Sequence, residues 1–173
     1  MGADIINLDQ KRLNRKSQGH SRALISVPRF TRAGSESVRI PNVKVMWSHM
    51  LLETLKGAWN IQCVDRVVVD AVPLTKCGIA EERDVTLLPL NVRISDGGLE
   101  TWLKLRRCRA VDPRLLAATN KKYTTLCHDY PNLTHWQVNG VWYCLMFARD
   151  NVIVRPHCGA YNGPWWFAVE PCE

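Results

Sequence analysis

Apolar residues are sparse before residue 38, apart from the short stretch 23–28, and become periodic after it. Ser48 is followed by Met50, Leu51, Leu52, Leu55 and Trp59 at helical spacing, with Gly57 at the stop. This predicts a short helix over 49–56 with Ser48 as its N-cap. Residues 63–72 are Val-rich and read as a strand, and residues 73–83 read as a loop. Residues 85–95 and 99–106 read as two strands joined at Asp96-Gly97-Gly98, a turn signal. Asp112-Pro113 places a cap before a proline at the first helical position, and the helix continues over 115–120. From Leu133 the pattern is a β-meander. Asn139-Gly140 is a two-residue hairpin turn, Arg149-Asp150-Asn151 the next reversal, and 152–155 the returning strand. After an irregular stretch with Gly159, Gly163 and Pro164, the indoles of Trp165 and Trp166 and the ring of Phe167 are expected to cap the core. A partner-docking patch is the alternative.

These elements predict an α+β fold: a mostly antiparallel sheet built from β-hairpins, with two short helices, in a single domain over 38–173. The 173 residues and the 46% hydrophobic content suit one globular unit. Residues 1–37 read as a largely disordered basic arm. Between Gln10 and Gly34 stand seven cations (Lys11, Arg12, Arg15, Lys16, Arg22, Arg29, Arg32) and no acid, too polar a run to offset its ordering entropy.

Charge changes the picture next. The net charge of +7 and the pI near 9.2 favour a polyanionic partner. On the predicted hairpin, Leu99, Thr101, Leu103 and Leu105 face the core, while Glu100, Trp102, Lys104 and Arg106 face outward beside Arg93. A flat aromatic among cations is what a single-stranded nucleic-acid face needs, since bases stack on the ring and phosphates meet the charges. Arg107, Arg109, Arg114, Lys121 and Lys122 prolong the basic run.

The Asn139-Gly140 turn fixes a register in which Val138 faces Val141, Gln137 faces Trp142, Trp136 faces Tyr143 and His135 faces Cys144. A thiol beside an imidazole is a potential zinc half-site, with Cys127, His128, His157 and Cys158 as candidates for the remaining ligands. No close cysteine pair anchors such a site, so no cofactor is assigned, and a zinc-stabilised interaction module stands as an alternative. The same His135 and Cys144 make a Cys/His-dependent hydrolase the least unlikely enzyme. Yet no oxyanion loop, no phosphate loop and no nucleophile turn accompanies them, and a non-enzymatic protein is expected.

Seven cysteines, odd in number and without a CxxC pair, suggest free thiols in a reducing compartment, the cytoplasm, with nuclear entry open to a basic arm. Ile5 and Ile6 run at once into Asp9, Gln10, Lys11 and Arg12, which is not a secretory signal, and no apolar run reaches the ~18–20 residues of a membrane span. Met1-Gly2 would permit myristoylation, but Ile6 stands where that motif has Ser or Thr. The expected function is therefore binding of RNA or single strands, with Lys11, Arg12, Arg15, Lys16 and Arg22 in the arm and Arg93, Trp102, Lys104, Arg106, Arg107 and Arg109 on the folded face. The runner-up is a structural, matrix-type or host-interaction protein whose arm contacts acidic membranes or acidic proteins. A basic arm before a Trp-rich domain resembles, in plan and not in motif, small viral accessory, capsid-associated and matrix-type proteins.

Overall fold

The computed structural model describes residues 37–56, 60–64, 72, 78–157 and 159–172. The basic arm expected to be disordered, most of the strand expected over 63–72, and Cys158 lie outside the described residues. Strand β1 (Val38–Met46) buries Val38, Ile40, Val43 and Val45 against β3 (Ala80–Leu90). The extra residue between Ile40 and Val43 is a bulge, with Asn42 at φ 55° and its N–H donated to the Asp84 carboxylate at 3.0 Å. Helix α1 (Leu51–Leu55) starts after Met50 rather than Ser48, because the Glu53 carboxylate reaches back to accept the Met50 N–H at 3.0 Å. Strand β2 (Asn60–Val64) lies at the far edge of the sheet.

The rest follows in chain order: β4 (Ile94–Ser95), α2 (Asp96–Leu105), β5 (Cys108–Ala110), α3 (Pro113–Lys122), α4 (Leu126–Asp129), β6 (Asn132–Val138), β7 (Val141–Ala148), β8 (Asn151–Pro156), β9 (Ala160–Tyr161) and β10 (Trp165–Pro171). Eight strands form one sheet in the order β1-β3-β10-β6-β7-β8-β2, with β5 pairing β10 beside that path. The pairs are mostly antiparallel, but β10 runs parallel to β6 and β2 parallel to β8, so the sheet is mixed and the class is α+β. Helices α1, α3 and α4 cover one face, where Leu51, Leu55, Leu115, Leu116 and Leu126 meet Val85, Leu87, Leu145 and Phe147. Helix α2 covers the other, where Leu99 and Leu103 meet Leu133, Met146, Phe167 and Val169.

Several expectations hold. The helix begun at Asp112-Pro113 forms, with the Asp112 carboxylate accepting the Arg114 N–H at 2.8 Å. The β6–β7 register is the one predicted, with His135 opposite Cys144 and Val138 opposite Val141. Others are corrected. Residues 80–83 are strand and not loop. The strand expected over 85–95 ends at Leu90, and only Ile94 and Ser95 pair again, with β9. The strand expected over 99–106 is helix α2, and Asp96-Gly97-Gly98 is its first turn and not a hairpin. Ser95 caps it, its hydroxyl oxygen accepting the Gly98 N–H at 3.2 Å. Leu99 and Leu103 suit a strand face and a helix stripe equally, but a strand would bury Thr101 and Leu105 with them, and both are exposed, as a helix leaves them. The described residues therefore hold four helices where two were expected. Trp165, Trp166 and Phe167 do not cap the core but enter β10 in the middle of the sheet.

Gly97 tests this correction. In α2 it needs no positive φ, and an added Cβ there meets nothing within 4 Å. Gly97→Ala is expected to raise unfolding free energy by about 0.4–1 kcal/mol through lost unfolded-state entropy. Urea unfolding that instead shows a loss would fit a left-handed turn position and reject the helix.

Candidate nucleic-acid interface

Because α2 is a helix, the predicted outward face splits. Trp102 and Arg106 are four residues apart and lie side by side, whereas Lys104 is about 200° round the helix from Trp102. The Arg106 guanidinium sits 3.9 Å from the centroid of the Trp102 ring, a cation–π stack. Trp102 is half-buried, one part of it packed on the α2-side core. Its free side opens on a cavity of about 370 Å³, lined also by Ser37, Pro89, Asn91 and Val92. A second hollow of about 340 Å³ shares Leu90, Asn91 and Val92 and continues to Arg93, Gly163 and Pro164. The two make one groove along the segment after β3. Of the predicted face residues, the fold thus brings Arg93, Trp102 and Arg106 to one groove and leaves Lys104 outside it. Lys104, Arg106 and Arg107 are exposed at the end of α2, beside Leu105, which is 80% exposed.

Arg109 is exposed but tied to Glu170 at 2.9 Å. Arg114 is 1% exposed and spends its guanidinium on the Asp112 carboxylate and the Trp47 carbonyl, so it is a buried strut and no part of a basic surface. Lys122 donates to the Asn42 carbonyl at 2.7 Å, and Lys121 is exposed. Lys11, Arg12, Arg15, Lys16 and Arg22 lie outside the described residues. Ser37 is the point where their segment joins the fold, at the Trp102 end of the groove.

What holds α2, and with it Trp102 and Arg106, is a buried polar network that the sequence pattern did not reveal. Asp96 in the first turn accepts the Tyr161 hydroxyl at 3.0 Å and lies 2.8–2.9 Å from His157 Nδ1 through both oxygens. One turn on, Glu100 meets His135 Nε2 at 2.7 Å. The His135 ring is 2% exposed, stacks on Trp142 at 4.5 Å and meets Phe167 edge-on. His135 Nδ1 lies 3.5 Å from Asp96, an ion-pair distance without a formed hydrogen bond. Burial pushes the His135 pKa below its usual range, outweighing the opposite pull of Glu100 and Asp96. The signal available was Ser95-Asp96 ahead of Leu99 and Leu103, a cap and acidic first turn, which marks a helix start.

Among the residues weighed for zinc, His135, Cys144 and His157 share the α2 face, but His135 and His157 turn to carboxylates. The Cys144 thiol lies 3.8 Å from the Arg155 carbonyl, and burial pushes its pKa up to about 11, away from the thiolate that a ligand or nucleophile requires. Cys127 is on the opposite face, bonded to the Arg149 carbonyl at 2.9 Å and likewise pushed up to about 11 by burial. His128 stands at the surface 3.3 Å from Asp150. Among the described residues no group of three or more His, Cys, Asp and Glu side chains is arranged to hold a metal ion. No described helix is long and apolar enough to cross a membrane. Compared with protein-family models, curated proteins and solved structures, the chain matches none.

The network carries a pH signature. The folded His135 prefers to be neutral, so the unfolded chain binds more protons once the pH falls below about 6.5. The His135 contribution to stability is therefore present above that pH and lost as the pH falls towards the depressed folded value. Urea unfolding between pH 5 and 8 should show this loss, and His135→Gln should reduce it. A protein that gains stability on acidification would mean that Asp96 and Glu100 hold the imidazole charged.

Proposed function

We propose that the protein is a non-enzymatic binder of RNA or other single-stranded nucleic acid, with the Trp102–Arg106 groove as its base-stacking element. The observation that carries this reading is the Arg106 guanidinium 3.9 Å over Trp102 at a groove that starts at Ser37, the point of attachment of a segment with seven cations and no acid. Chain connectivity alone keeps those cations within reach of whatever lies in the groove. Planar guanidinium and indole groups accept any base by stacking, and Arg93 at the far end and Arg107 beside α2 supply phosphate contacts.

Because half of Trp102 is packed, Trp102→Leu is the informative change: it keeps apolar bulk and removes the stacking surface. Affinity for a single-stranded oligonucleotide should fall by the roughly 1–3 kcal/mol of one stacked base, with an unchanged salt slope. Arg93→Ala should instead lower the log–log salt slope by about one. A folded Trp102→Leu protein that binds like the parent would leave the groove without a role.

A further inference from the structure

Strand β10 pairs with β6 at Trp166 and Phe167 and with β5 from Val169 to Pro171, so the sheet forks. The Thr134 hydroxyl donates to the Val111 carbonyl at 2.7 Å and ties the two prongs together. The fork encloses a cavity of about 370 Å³, within the roughly 300–1,000 Å³ of small-molecule sites. Its two indoles, Trp47 and Trp136, pack against the α1/α3-side core, while His135 and Ala110, which also line it, belong to the α2 side; Trp102 does not line it.

The charges at the cavity are balanced. Arg83 and Arg109 stand with Asp112 and Glu170. An anionic ligand meets two carboxylates and a cationic one meets two guanidinium groups, so neither sign is favoured. The carboxylate of Asp112 is already spent: Oδ1 accepts the backbone N–H and Nε of Arg114, and Oδ2 accepts Arg114 Nη2 at 2.7 Å. Arg109 and Glu170 are not. Among the described residues Arg109 uses only Nε, on Glu170 Oε1 at 2.9 Å, which leaves the terminal guanidinium N–H groups and Glu170 Oε2 as adjacent donors and acceptor there. The Trp136 Nε1–H is buried and has no hydrogen-bond partner among the described residues. The best complement to two indole walls and a paired donor and acceptor is a flat, neutral ring system whose edge carries both kinds of group.

We propose that the fork cavity is a nucleobase pocket, with Trp47 and Trp136 against the base and Arg109 and Glu170 reading its edge. The inference rests on the nucleic-acid reading for one source of the base, a bound strand, and a free nucleoside is the other source. Calorimetric titration of the full chain with guanosine, adenosine, cytidine and uridine tests it, with inorganic phosphate and tetramethylammonium as charged probes. At least one nucleoside should bind with Kd below about 1 mM. Trp136→Leu and Glu170→Gln should each weaken that binding about tenfold or more. If Trp136→Leu does not fold, Glu170→Gln decides alone. Absence of nucleoside binding, or binding indifferent to the substitutions at 136 and 170, overturns the pocket. A single-stranded oligonucleotide that still depends on Trp102 would then leave the groove reading intact. Nucleosides bound as expected beside an oligonucleotide that does not bind would overturn the groove and keep the pocket. Displacement of the nucleoside by the oligonucleotide identifies the strand as the source of the base, and failure to displace it identifies the free nucleoside.

Discussion

The backbone of β10 hydrogen-bonds along both of its edges, to β3 on one side and to β6 and then β5 on the other. Remove that ladder and the described sheet falls into β1–β3, β6–β7–β8–β2 and a lone β5. Its side chains serve both cores by strict alternation: Trp166 and Ala168 face α1 and α3, while Phe167 and Val169 face α2. Pairing of β10 with β3 joins residues separated by about 75 positions or more, so its closure entropy must be offset by simultaneous burial on the two faces. Position in the sheet thus follows from what the strand buries rather than from any local turn.

The change of partner on one edge of β10 has a further consequence. A parallel pairing of only two residues gives way to the antiparallel β5, and the two neighbours diverge. The Val111 carbonyl, next to β5, accepts the Thr134 hydroxyl of β6 across the gap. The divergence leaves a cavity of about 370 Å³, lined by two indoles among charged and apolar neighbours.

On the α2 face of the sheet, a helix is fastened by polar groups. In a low-dielectric setting, the carboxylates of Asp96 and Glu100 meet His157 Nδ1, His135 Nε2 and the Tyr161 hydroxyl at 2.7–3.0 Å, while His135 Nδ1 stays without a hydrogen bond among the described residues. Leu99 and Leu103 supply the burial that presses α2 on the sheet, and the polar contacts fix where along the sheet it lies. That choice of position sets Trp102 and Arg106 against the segment after β3. The acids of α2 are turned inward to the histidines, away from Arg106 on Trp102.

Some of this was legible in the residues themselves. Asn139-Gly140 fixed the β6–β7 register, and Asp112-Pro113 the start of α3, because a turn and a cap act within a few residues of themselves. His135 opposite Cys144 follows from that turn alone. The partners of His135 do not, since Glu100 and Asp96 reach it only after α2 docks. Leu99 and Leu103 match both the two-residue and the four-residue repeat, so the segment around them became a helix only through the Ser95 cap and the sheet it covers. Arg93, Trp102, Lys104 and Arg106 were grouped on one strand face; the fold stacks Arg106 on Trp102 and turns Lys104 away, because a helix does not have a strand's alternation. Trp165, Trp166 and Phe167 read as a cap on the core, and their place in a central strand follows only from the strands that pair on either side. Local signals specify backbone shape wherever a few adjacent dihedral angles decide it. Which faces meet is decided jointly by all the surfaces that must leave water together, and that is a property of the assembled chain.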